Sequence, residues 1–138
     1  MKIDHVGYLC KDINKSISLF LSLGYKQETK VFEDNVAEGE NKARNVFICF
    51  LRNGANRVEL VSPIDESSDV YATIQRQGEG PYHICYQVED LEDSIQILKQ
   101  SGWLLLKRPA KAIAFDDKRV VFLFRSGAGT IELVEMKG

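Results

Sequence analysis

The chain has 138 residues, of which 44% are hydrophobic and 28% charged, with 18 basic against 20 acidic residues and a net charge of −2. This is the composition of one ordinary globular domain with a sizeable core. The absence of a basic excess argues against nucleic acid as a partner. No apolar run nears the ~20 residues of a membrane span, and the opening Met1-Lys2-Ile3-Asp4-His5 has no leader-like apolar stretch, so a cytoplasmic location is expected. Cys10, Cys49 and Cys85 form no CxxC pair and sit in apolar runs, which reads as reduced, buried thiols.

The elements fall into two similar series. A strand over Ile3 to Leu9 is followed by Asp12, an N-cap for a helix whose stripe is Ile13, Ile17, Phe20 and Leu21. Gly24 supplies the left-handed stop. Strands follow near Tyr25 to Val31, over Val46 to Leu51 and over Arg57 to Val61, the last two joined by Arg52-Asn53-Gly54-Ala55. The charged stretch from Phe32 to Arg44 reads as a mobile flap or exposed excursion. A linker then carries a short helix around Asp69 to Gln77. The second series has a strand from Tyr82 to Val88, the Asp90 cap, a Leu91, Ile95 and Leu98 stripe, and Gly102. Its later strands lie near Trp103 to Lys107, over Val120 to Phe124 and over Thr130 to Val134, with Arg125-Ser126-Gly127-Ala128 as the turn.

The similarity is a duplication. At an offset of 78, His5 to Tyr25 lies on His83 to Trp103 without a gap, pairing His5 with His83, Tyr8 with Tyr86 and Asp12 with Asp90. At an offset of 73, Phe47 to Val61 lies on Val120 to Val134, pairing Arg52 with Arg125 and Glu59 with Glu132. The offsets differ by five, so the first copy has five extra residues between Tyr25 and Phe47. The expected organisation is one domain over 1–138, with module one at 1–62, a linker at 63–81 and module two at 82–138. The expected class is α+β: tandem βαβββ modules forming a curved mixed β-sheet.

The chain's two histidines occupy one repeat position, and Glu59 and Glu132 occupy another. Glu59 lies between Val58 and Leu60, and Glu132 between Ile131 and Leu133, so strand alternation turns each carboxylate away from its aliphatic neighbours. Taken singly, each of the four reads as a polar strand residue or a solvated edge charge. As two matched pairs they suit one divalent metal, with nickel, cobalt, manganese or zinc compatible with mixed nitrogen and oxygen ligands. Arg44, Lys111 and Arg119 are candidates for holding an anionic group, against the plainer reading of solvated charges. Lys107 to Asp117 is either a cover for the site or a plain connection.

Together, the His-bearing first strands Ile3-Asp4-His5-Val6-Gly7 and Tyr82-His83-Ile84-Cys85-Tyr86, with Val58-Glu59-Leu60 and Ile131-Glu132-Leu133, resemble the vicinal oxygen chelate superfamily. That superfamily includes glyoxalase I, methylmalonyl-CoA epimerase, extradiol dioxygenases and bleomycin-resistance proteins. The resemblance spans essentially the whole chain and is strongest to the branch of glyoxalase I and the epimerase. It implies a glyoxalase-like sheet around a metal site, with His5, Glu59, His83 and Glu132 as ligands to nickel, cobalt or zinc. The first implied activity is a glyoxalase I-like lyase or isomerase. It would convert a 2-oxoaldehyde–thiol hemithioacetal to a 2-hydroxyacyl thioester through an enediolate, with Glu59 or Glu132 shuttling the proton. The alternatives are epimerase-like proton transfer on an acyl thioester, for which Pro81 to Leu91 is especially similar, and non-catalytic small-molecule binding of the bleomycin type. The implied partner is a small thioester or hemithioacetal, with a homodimer possible. Two departures stand out. The epimerases' extra Glu before the Val46 to Leu51 strand falls near Ala43, with Glu40 three residues away. The Arg that glutathione-using members place after the first His is absent from Val6-Gly7-Tyr8-Leu9-Cys10.

Overall fold

The structure is a computed structural model that describes residues 1–39 and 42–136. It divides into two compact units, His5–Tyr82 and His83–Gly138 with Met1–Asp4. Both are α+β, each with a mixed sheet and a helix on one face.

In the first unit, β1 (Lys2–Leu9) leads into α1 (Ile13–Ser22). The Asp12 side chain accepts a 3.2 Å hydrogen bond from the Lys15 N–H, closing the helix start. Chain reversal follows at Gly24, φ +97°, where a side chain would be strained. Next come β2 (Lys26–Gln27), β3 (Phe32–Asp34), β4 (Ala37–Gly39), β5 (Lys42–Ala43), β6 (Val46–Asn53), β7 (Asn56–Pro63) and α2 (Asp69–Gln77). β1 runs parallel to β7, β7 is antiparallel to β6, and β6 pairs antiparallel with β2 and β3. Ile13 and Ile17 of α1 pack with Cys10, Cys49, Leu51, Val58 and Leu60, bordered by Tyr8, Phe20 and Tyr25. Leu21 departs from the expected stripe, since it is 46% exposed.

The second unit repeats the plan with β8 (Gly80–Val88), α3 (Leu91–Gln100), β9 (Leu104–Leu105), β10 (Ala110–Lys111), β11 (Arg119–Arg125) and β12 (Gly129–Glu135). A one-turn helix at Ile113–Phe115 separates β10 from β11. Asp90 caps α3 by accepting from the Asp93 N–H at 2.9 Å. β8 is parallel to β12, and β11 pairs antiparallel with β12, β10 and β9. Leu91 and Ile95 pack with Val88, Val121, Leu123, Ile131 and Leu133.

Strand register refines the duplication. Glu59 lies opposite Gly7 and Phe50, whereas Glu132 lies opposite Cys85 and Phe122. The first and last strands therefore keep offsets of 78 and 73, but Phe50 corresponds to Phe122. The Lys26–Arg52 and Leu104–Phe124 pairs show the same shift. Two residues, Gly54 and Ala55, join β6 to β7, while Ser126, Gly127 and Ala128 join β11 to β12. The gapless match of Arg52 to Arg125 thus conceals one extra residue in the second turn.

Short strands occur among the described residues of the Phe32 to Arg44 stretch. β3 adds to the sheet, and β4 pairs with β5. Arg44 Nη1 lies 2.9 Å from Asp34 Oδ2, both side chains buried, and the Arg44 carbonyl accepts from Ser68 Oγ at 2.9 Å. A buried carboxylate is tolerated when a cation meets it in this way. Glu40 lies outside the described residues.

Candidate active site

In each unit the helix covers the aliphatic face of the sheet, and the opposite face carries the histidine and the glutamate. Val58 and Leu60 enter the helix-side core, as do Ile131 and Leu133. Strand alternation turns Glu59 and Glu132 to the other side. Within the first unit, His5 Nε2 comes 3.4 Å from Glu59 Oε1. Within the second, His83 Nε2 comes 3.1 Å from Glu132 Oε1. The structure therefore brings the predicted residues together in their pairs.

All four residues are buried, His5 to 1%, His83 to 3%, Glu59 to 6% and Glu132 to 4% exposure. Such burial is costly for carboxylates unless a positive charge accompanies them. An imidazole nitrogen beside a carboxylate oxygen, repeated at equivalent positions, fits a divalent cation by donor chemistry.

An aromatic ring completes each pair. The Phe50 ring meets His5 edge-on, with centroids 5.3 Å apart and planes at 85°. Phe122 meets His83 likewise, at 5.4 Å and 82°. Such contacts limit imidazole rotation and hold the ring direction. These phenylalanines escaped the sequence reading because the extra turn residue puts them out of step at an offset of 73.

The first unit adds a charged group. The Arg57 guanidinium lies 4.0 Å from the Phe50 ring centroid. Arg57 also donates from Nε to Glu28 Oε1 and Oε2 at 3.2 and 3.3 Å, and Arg52 Nε donates to Glu28 Oε2 at 2.9 Å. Burial alone would raise the Glu28 carboxyl, but Arg57 and then Arg52 outweigh it and hold it below the usual carboxylate range.

The three cations proposed from sequence as anion holders have other places. Arg44 is committed to Asp34 within the β3–β6 region. Lys111 is exposed. Arg119 clamps the sheet to α3, with Nε 3.0 Å from Glu135 and Nη2 donating to Glu92 at 3.0 Å. Two residues of the Lys107 to Asp117 segment pack on the sheet. Ala112 packs with Cys85, Val120 and Val134, and Phe115 and Phe122 pack against that cluster. Cys85 and Phe122 are the strand neighbours of Glu132.

All three cysteines are buried and free of disulfides. Burial pushes the Cys10 thiol up to about 11, and its Sγ donates to the Val61 carbonyl.

The description "Glyoxalase/Bleomycin resistance protein/Dioxygenase superfamily" matches residues 4–122. The chain belongs to this superfamily. YqjC of Bacillus subtilis (strain 168), an uncharacterised protein, is 24% identical over 142 residues, covering 99% of this chain and 94% of its own. The mitochondrial methylmalonyl-CoA epimerase of Mus musculus is 26% identical over 137 residues, covering 99% of this chain and 72% of its own. A hypothetical protein from Bacillus halodurans C-125 superposes with a TM-score of 0.81 at 27% identity, over 99% of this chain and 95% of that one. Methylmalonyl-CoA epimerase from Mycobacterium tuberculosis superposes at 0.79 with 24% identity, over 97% and 87%, which is a likeness of fold. Among the described residues, no helix is long and apolar enough to cross a membrane. The named relatives point to the epimerase alternative in preference to glyoxalase I.

Proposed function

We propose that the protein is a metal-dependent enzyme that moves a proton at the carbon next to a thioester carbonyl, in the manner of methylmalonyl-CoA epimerase. The observation that carries this reading is the duplicated, buried His–Glu pair in a chain whose epimerase relative spans nearly all of it. His5, Glu59, His83 and Glu132 would together hold one divalent cation. When bound, the cation would supply a Lewis acid able to neutralise negative charge on a thioester oxygen. Two imidazoles and two carboxylates also suit nickel, cobalt or zinc alike.

The chain's own groups supply the rest. Phe50 and Phe122 keep the imidazoles in one orientation. Glu59 or Glu132 takes the proton as the C–H bond breaks, and the electron pair moves toward the thioester oxygen. Inversion requires removal of a proton from one face and delivery to the other, and the duplication supplies one carboxylate from each half. Ala43 stands where the family's epimerases place an additional carboxylate, and Glu40 is three residues away in the sequence.

The test is solvent deuterium entry into a 2-methylmalonyl thioester with metal-loaded protein, run beside thioester formation from methylglyoxal plus a thiol. The expected result is exchange in the first assay that strips away with a chelator. Conversion of the hemithioacetal without exchange would replace this reading with the glyoxalase one, and activity in neither would favour a binding protein.

A further inference from the structure

In the second unit, the sheet face that bears Glu132 is closed at one end and open at the other. Along β11, Val120 is 2% exposed, Phe122 is half-buried and Phe124 is 37% exposed. Val120 and Val134 pack with Ala112 and Cys85 at the closed end. At the open end β9 runs beside β11, with Leu104 opposite Phe124, and the Leu106 N–H donates to the Phe122 carbonyl at 2.9 Å. Strand alternation puts Leu104 and Leu106 on the face of Phe122, Phe124 and Glu132, whereas Leu105 lies with Leu123 on the helix side. Leu104 is 63% exposed and Leu106 49%. With Phe124 they form an apolar platform about 7 Å along the strands by about 5 Å across. It begins at Phe122, whose ring meets His83.

The scaffold does not require apolar residues there. In the first unit, register places Lys26, Glu28 and Arg52 at the equivalent positions, and the Glu28 N–H donates to the Phe50 carbonyl at 2.8 Å as Leu106 does to Phe122. Glu28 and Arg52 are ion-paired at 2.9 Å. The same place in the sheet accepts charge, so Leu104, Leu106 and Phe124 hold apolar surface in water at a cost that packing does not explain. Their exposed area is on the order of 300 Å², well below the about 800 Å² that each partner in a stable protein complex buries. It suits a short alkyl chain or one aromatic ring rather than a protein.

We infer that Leu104, Leu106 and Phe124 bind an apolar substituent, a short alkyl chain or an aromatic ring, of the small molecule held at His83 and Glu132. This rests on the proposed reading of that pair as part of a metal site, but it is read by binding and needs no turnover. The probes are acetohydroxamate, butanohydroxamate and hexanohydroxamate, which offer a metal the same two oxygens and differ only in alkyl length. Each is titrated calorimetrically into nickel-loaded wild type, Leu106→Ser, Phe124→Ser and Ile97→Ser, with metal content measured for each. Ile97 is 54% exposed on α3, which covers the other face of the sheet, so its variant controls for a general loss of apolar surface.

Wild type and Ile97→Ser are expected to gain about threefold to tenfold in affinity for each two methylenes added. Leu106→Ser and Phe124→Ser should cut each gain to less than about twofold and leave acetohydroxamate within about twofold of wild type. Equal affinities along the series in wild type, equal gains in all the proteins, or no binding of any hydroxamate would overturn the inference. Chain-dependent binding that the two platform variants abolish, without deuterium exchange into the thioester, would support the inference and count against the proposed reaction. Exchange with chain-independent binding would do the reverse.

Discussion

Replacing Phe50 with Leu separates what an aromatic ring contributes from what mere burial contributes. Phe50 is 1% exposed, and Leu fills most of the same space, so the principal loss is ring geometry. The edge-on contact with His5 corresponds to about 0.5–1.5 kcal/mol. The Arg57 guanidinium over the same ring adds about 0.5–1 kcal/mol at a partly exposed site. A total near 1–2.5 kcal/mol should lower Tm by roughly 3–8 °C for a chain of this length. Duplication provides the control, because Phe122 makes the same contact with His83 while Thr130 stands at the position equivalent to Arg57. Urea unfolding of Phe50→Leu, Arg57→Met and the double variant should give a coupling of about 0.5–1 kcal/mol. The matching cycle of Phe122→Leu with Arg57→Met should give a coupling within ~0.3 kcal/mol of zero. Equal coupling in the two cycles would refute the stacked geometry as the source of the effect.

Glu132→Gln keeps an oxygen donor but removes a proton acceptor, so deuterium exchange should fall by about 10²-fold or more while much of the metal is retained; unchanged exchange would place the base elsewhere. Arg44→Met strands the buried Asp34 carboxylate and should cost about 3–5 kcal/mol in urea unfolding, with Asp34→Leu added in the same chain recovering part of it. A loss below about 1 kcal/mol would show that the pair is solvated. For Cys10, the folded thiol keeps its proton up to about 11 and the unfolded thiol loses it near 9.0. The native state binds more protons between those values, so this contribution is complete below pH 9 and is lost as pH rises to about 11. Cys10→Ala should flatten that decline, and an unaltered slope would contradict the burial effect.

The sequence was legible wherever a single element decides the outcome. Asp12 and Asp90 announce helix starts through their side-chain oxygens, and Val58-Glu59-Leu60 and Ile131-Glu132-Leu133 assign their faces by alternation alone. The candidate ligands are legible because the chain's two histidines recur at one matched position and a glutamate recurs at another. What escaped depends on strand pairing. One added turn residue moves β11 by one place against β12, so Phe50 and Phe122 look unrelated in a gapless comparison. Asp34 and Arg44 read as surface charges because nothing local shows that they bury each other. Arg57 looks like any strand-end cation until the β6–β7 register brings Phe50 diagonally across from it, under its guanidinium.

The central claim is that both halves of the duplication serve one cation. Elemental analysis of purified protein equilibrated with nickel, beside His5→Ala and His83→Ala, tests it most directly. One ion per chain, with affinity lost by about 10-fold or more on removal of either histidine, is the predicted result. Two ions per chain, none, or full-affinity binding that survives loss of one histidine would contradict it.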